Sequence, residues 1–159
     1  IAEGTANYGV AMAFPDALKK SFQRDVLYPL AGIDPALLDK YEALLKLIAQ
    51  LSYAGNEAAR NYIDGKMTKQ QAIDWLINVE LYPVEKAPQR ISFFDVNRSY
   101  VINYNVGKDL VKDYVEYKTR GATTQPEKTE LGWQVFEQLL SSPRLPSNSK
   151  AEHRPPKPK

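Results

Sequence analysis

Residues 34–65 read DPALLDKYEALLKLIAQLSYAGNEAARNYIDG. Asp34 followed by Pro35 is a helix start, because the carboxylate can accept from unpaired amide groups where proline's missing N–H costs nothing. Leu37, Leu38, Tyr41, Leu44, Leu45, Ile48 and Leu51 then recur in steps of mainly three and four. The pattern continues past Gly55 through Ala59, Tyr62 and Ile63 to a stop at Gly65. This spacing predicts one long helix, bent near Gly55. No stretch of the chain sustains a period-two alternation with turn chemistry. The expected class is therefore all-α, a multi-helix bundle or array of about six helices.

Working outward, residues 2–13 are small and apolar, with Ala6, Val10 and Ala13 on one face. Gly4 and Gly9 each cost a helix about 1 kcal/mol against alanine, so tertiary contacts must offset them. Asp16 caps a predicted helix over about 17–29, striped by Phe22, Val26, Leu27 and Leu30 and ended by Pro29 and Gly32. Thr68-Lys69-Gln70-Gln71 reads as a capping box opening a short helix that buries Ala72, Trp75, Leu76 and Val79. Residues 85–120 read as helical throughout, with Tyr100, Tyr104 and Lys108 on one face. A last helix is expected over about 127–141. From Pro143 the chain holds five of its eleven prolines, with serine and lysine. That tail, 143–159, is expected to be disordered or extended, behind one helical domain at 1–142.

Composition narrows the chemistry. At 159 residues the chain can build a core without staples. It has no cysteine, which excludes disulfides, thiolate nucleophiles and thiolate metal sites. The tail carries five basic residues and Glu152, leaving residues 1–142 at −2, so no nucleic-acid platform is expected. No apolar run approaches the ~20 residues that span a bilayer, so no membrane span is expected. Phosphate-loop, dinucleotide, zincin and serine-hydrolase signatures are absent. The one histidine, His153, lies in the tail and reads as solvated rather than as a general base. Asn97-Arg98-Ser99 spells a glycosylation sequon, but inside a predicted helix. Arg154-Pro155-Pro156-Lys157-Pro158 reads as an unstructured end, or else as a proline-rich ligand. Beginning at Ile1 without a leader, the chain is expected to be a processed product or a fragment.

Two segments carry most of the remaining chemistry. In Glu3-Gly4-Thr5-Ala6-Asn7-Tyr8-Gly9 a carboxylate stands among very small residues. It is either solvated and capping, or held against a neighbouring helix or a cation. In the segment 98–108, RSYVINYNVGK, the hydrogen-bonding capacity suits either a polar-lined core or a ligand pocket.

In this order the two segments resemble the C-terminal half of a family of bacterial gluzincin-like proteins, catalogued as domain of unknown function number 885 and regarded as zinc peptidases. Members carry an upstream helix H-E-x-x-P-G-H, then a helix beginning E-G-x-A, then one containing Y-x-x-G. Glu3-Gly4-Thr5-Ala6 is similar to the second element and Tyr104-Asn105-Val106-Gly107 to the third. Gly65, Thr68 and Ala72 resemble the family's turn into a short helix. The likeness covers about residues 1–120. It implies that Glu3 is a zinc ligand and Tyr104 an oxyanion-stabilising phenol, with Arg98 and Tyr100 as further substrate-facing groups. The family often has Pro-Gly-Gln before its Y-x-x-G, where this chain has Asn97-Arg98-Ser99-Tyr100.

The implied partners are an upstream catalytic half of the same polypeptide and a peptide substrate, in a periplasmic or secreted bacterial setting. The H-E-x-x-P-G-H helix is not in these 159 residues. A catalytic zinc needs about three protein ligands plus water, so this chain alone is expected to be inactive. The alternative expectation is a non-catalytic helical binding or scaffolding domain.

Overall fold

The structure, a computed structural model, describes residues 1–143. The tail expectation, His153 and the proline-rich motif fall on residues 144–159 and lie outside the described residues. Among the described residues the fold is all-α. Eight α-helices are α1 (Ala2–Ala13), α2 (Asp16–Phe22), α3 (Tyr28–Leu30), α4 (Leu38–Ile63), α5 (Lys69–Asn78), α6 (Ala87–Asn97), α7 (Val106–Thr119) and α8 (Gln125–Ser141). Six of them have ten or more residues, as the apolar periodicity predicts. None is long and apolar enough to cross a membrane.

The chain divides into two compact units. The first joins Ile1–Pro15 to the described residues from Asn103 onward, and so contains α1, α7 and α8. Val111, Tyr114 and Val115 of α7 meet Phe136 and Leu139 of α8, and Tyr8 and Met12 of α1 pack on that cluster. Each set is spaced by three or four, so each helix offers one apolar stripe. The inward face of α1 is thus Gly4-Thr5, Tyr8 and Met12, and the expected apolar stripe Ala6, Val10 and Ala13 is exposed. The helix turns its smallest residues inward because two backbones meet there, as described below. Buried Thr5 loses nothing by this, since its hydroxyl donates to Ala2 O at 2.9 Å.

The second unit, Asp16–Ile102, is built on a different core. Ala58 and Ala59 of α4, Ala72 and Leu76 of α5, and Ile91 and Phe94 of α6 bury completely or nearly so. Trp75 donates from Nε1 to Ala54 O at 3.0 Å, fixing α5 against α4. The predicted capping box is present. Thr68 Oγ1 accepts from Gln71 N at 3.2 Å and Gln71 Oε1 accepts from Thr68 N at 2.8 Å. Both predicted glycine stops also hold: Gly32 and Gly65 have φ of 66° and 70°, which a Cβ would strain.

Two local expectations need correction. Pro29 does not end its helix; the rod runs from Asp16 to Leu30 through a π turn at Gln23–Leu27. The proline ring would strike the carbonyl four residues back, and widening the preceding turn relieves that clash. α4 runs continuously through Gly55, as the spacing predicts. The missing side chain there makes room for Glu80, whose Oε2 would lie 2.5 Å from a Cβ at that position. The stretch 85–120 is not one helix. Arg98 adopts φ 51°, closing α6, and a 3-10 segment follows at Arg98–Asn103.

Candidate functional site

The two motif segments come together in the first unit. Gly4, in the first turn of α1, packs against Gly107, in the first turn of α7. Both glycines are buried. A Cβ built on Gly4 would stand 3.0 Å from Gly107 Cα and closer still to the Gly107 carbonyl. A Cβ on Gly107 would meet only Gly4 N and Cα, at an ordinary 3.5 Å. The contact is therefore backbone on backbone, and it is one-sided: Gly4 is obligatory, Gly107 less so. Asn7, one turn along α1, donates from Nδ2 to Tyr104 O at 3.1 Å. A side chain of the first motif thus holds the main chain of the second.

Tyr104 is placed by a helix cap. Asn105 accepts from Val106 N through Oδ1 at 2.8 Å and starts α7, which leaves Tyr104 in the turn just before it. Tyr104 and Glu3 are both half-buried, beside the glycine contact. This corrects the single helical face of Tyr100, Tyr104 and Lys108. A 3-10 segment turns about 120° per residue, so positions four apart no longer line up. Tyr100 is 43% exposed in that segment. Arg98 and Tyr100 belong to the second unit, in which Arg98 is exposed beside the Tyr62–Asp95 pair.

Among the described residues no three His, Cys, Asp or Glu side chains gather as a metal site requires. Glu3 is one carboxylate where a catalytic zinc needs about three protein ligands. The described residues do not by themselves fit that ion.

Two grooves run along the same unit. One, of about 240 Å³, lies between α1, α7 and α8 and is walled by Tyr8, Met12, Val115 and Trp133, with Glu116 and Lys128 at its edge. Burial first, and then the Glu116 carboxylate, raise the Tyr8 phenol above its ordinary range. The other, of about 640 Å³, is lined by Ala2, Ala6, Gly9, Phe136 and Leu140. Neither groove is lined by Glu3 or Tyr104.

The second unit holds polar groupings that sequence reading did not single out. Tyr62 donates to Asp95 Oδ1 at 2.8 Å, which raises the phenol's pKa. Glu80 lies over Gly55 with its Oε2 buried and without a hydrogen bond, as is Arg90 Nε. Burial raises the Glu80 carboxyl, partly opposed by the Arg90 charge. The Arg90 guanidinium stacks 5.1 Å and 5.2 Å from the Phe93 and Phe94 rings. Only Gly55, glycine within a long helix, signalled any of this in the sequence. Set against known proteins, the chain matches no family model, no curated protein and no solved structure.

Proposed function

We propose that this chain is the distal helical part of a zinc-dependent metallopeptidase-like hydrolase, contributing Glu3 and Tyr104 to a site whose histidines come from elsewhere in the polypeptide. The observation that supports the reading is the seating of the E-G-x-A turn on the Y-x-x-G turn, Gly4 against Gly107, with Asn7 clamping Tyr104 O at 3.1 Å. Two short motifs, a hundred residues apart, converge on one spot.

In this reading each residue of the chain has a limited task. Glu3 supplies a carboxylate ligand from the first turn of α1. Tyr104 supplies a phenolic O–H, positioned by its own clamped main chain, to the oxygen that gains charge at the scissile carbonyl. Arg98 and Tyr100, which the resemblance marks as substrate-facing, lie in the second unit and are assigned no task in this site. Bound zinc would supply water activation and carbonyl polarisation.

The test uses the full gene product that carries this chain. Glu3→Gln should lose stoichiometric zinc by metal analysis. Tyr104→Phe should keep zinc and lower kcat by about 10²–10³-fold, as loss of an oxyanion donor does. A gene product without a histidine-bearing helix, or a Glu3→Gln variant that retains zinc and peptidase activity, overturns the reading.

A second reading, a non-catalytic binding or scaffolding domain, has its own support in the large apolar surface of α2, α3 and the first half of α4.

A further inference from the structure

Residues 16–50 form a helical hairpin that lacks a core. The rod of α2, the π turn and α3 is tied to the start of α4 by Lys20–Asp39 at 2.8 Å and Lys19–Glu42 at 3.4 Å. Within these residues only Tyr28 and Leu38 are buried, and neither belongs to the cluster formed by α4, α5 and α6. The exposed Lys20–Asp39 pair is screened by water and contributes little. Helices of this length are marginal in water unless an apolar face is covered.

That face is present and uncovered. Of the twenty-one large apolar side chains exposed among the described residues, eleven lie between Leu18 and Ile48. On the rod, Leu18, Phe22 and Val26 recur every four residues; from Leu37, the cap of α4, Tyr41 and Leu44 follow at four and three. Each set is the stripe that normally faces another helix. Leu30 at the tip is 81% exposed and Leu47 is 61% exposed. Summed over the eleven, these side chains expose on the order of 1,000 Å², more than the 300–600 Å² of the largest apolar patch on a typical monomer.

We propose that this hairpin face is closed by the same face of a second copy of the chain, giving a two-fold dimer with four packed helical rods. Two observations select a second copy. The exposed area exceeds the ~800 Å² per partner of a standard stable interface. The hairpin is also electrically neutral, with five basic and five acidic residues between 16 and 50. Two copies therefore meet without net repulsion, and both signs are available at the rim for cross-pairing. An anionic lipid or nucleic-acid surface would call for a basic excess, which this face does not have. A two-fold axis is the simplest closed arrangement for a self-complementary patch. The proposal does not need the peptidase reading, and a dimer of the 159-residue chain that is lost in the full gene product overturns it in favour of the upstream half that reading invokes.

Sedimentation equilibrium of the 159-residue chain tests it. At about 10–100 µM, a range that the interface size should saturate, the mass should be twice 18.0 kDa. The double variant Leu37→Glu/Leu44→Glu should return to a single 18.0 kDa species with its helical circular dichroism retained. Because the chain has no cysteine, single-cysteine variants give a second readout that needs no destabilising change. Leu44→Cys should cross-link into a dimer under mild oxidation, whereas Val96→Cys, on an exposed face of α6, should not. A wild-type monomer at 100 µM overturns the proposal, as does a dimer that survives the double glutamate variant or cross-links equally at position 96. A monomer that instead sediments with anionic vesicles overturns it in favour of a lipid surface.

Discussion

Replacing Gly4 with alanine should unseat α1, while the same change at Gly107 should not, although the two glycines touch. At Gly4 the new methyl would lie 3.0 Å from Gly107 Cα and further inside its carbonyl, both of them main-chain atoms that cannot swing aside. The helices must separate, and Asn7 and Tyr8 move with α1. Overpacking of this kind costs about 1–3 kcal/mol. Alanine's helix propensity returns at most about 1 kcal/mol, and less in a first turn, where several amides are unpaired in either case. The Asn7–Tyr104 bond, worth about 1 kcal/mol, is strained by the same shift. The net expectation is a loss of about 1–3 kcal/mol for Gly4→Ala. At Gly107 the methyl meets Gly4 at 3.5 Å, ordinary contact, so Gly107→Ala should be neutral or stabilising by up to about 1 kcal/mol.

The two units make a global unfolding curve ambiguous, but each contains one tryptophan: Trp133 on α8 in the first, Trp75 on α5 in the second. In a Trp75→Phe background, urea unfolding followed by fluorescence therefore reads the first unit alone. If Gly4→Ala matches its parent while Gly107→Ala is destabilised, the one-sided contact is wrong.

Three further outcomes follow from the second unit. Gly55→Ala should be tolerated or mildly stabilising, since the obstructing atom is the far end of the Glu80 side chain, which can swing to water; urea midpoints read by Trp75 in a Trp133→Phe background will show it. The folded-state carboxyl of Glu80 is raised, so between its unfolded and folded pKa values the native state holds more protons. Stability should therefore fall as pH rises through that window, and Glu80→Gln should flatten this part of the stability–pH curve. Thr68→Ala should cost about 1 kcal/mol by removing one side of the capping box, measurable in the same unfolding assay.

The sequence discloses helices well because caps, glycine stops and apolar spacing are local. Thr68 with Gln71, Asp34 before Pro35, and Gly65 each act within one turn, so their neighbours determine them. Breaks are less legible. Arg98 at φ 51° closes α6 with no glycine or proline to announce it, and the 3-10 segment after it carries an ordinary helical spacing. Burial is less legible again. The periodic leucines of α4 predict a covered stripe, yet Leu37, Tyr41 and Leu44 are open, because periodicity tells which side of a helix wants a partner and not whether one is present. On α1 the outward face is the one the pattern marks as apolar, since close approach selects glycine rather than the largest hydrophobe. The Glu80–Arg90 grouping needs three elements to assemble, and no pairwise spacing encodes it.

The glycine contact also sets how the functional reading has to be tested. Gly4 and Gly107 are accounted for by packing alone: two backbones this close admit no Cβ on the α1 side, whatever the unit does. The glycine of each short motif therefore has a packing role of its own, and what the contact lends the peptidase reading is only that it brings the two motifs together. The reading's own residues are Glu3 and Tyr104, both half-buried beside the contact. Substituting a glycine would damage fold and activity together and could not separate them. Glu3→Gln and Tyr104→Phe keep shape and remove one charge and one hydroxyl, so zinc content and turnover can be compared directly with the Trp133 unfolding curve of the same variant. Only a divergence between function and stability assigns the two residues a chemical task.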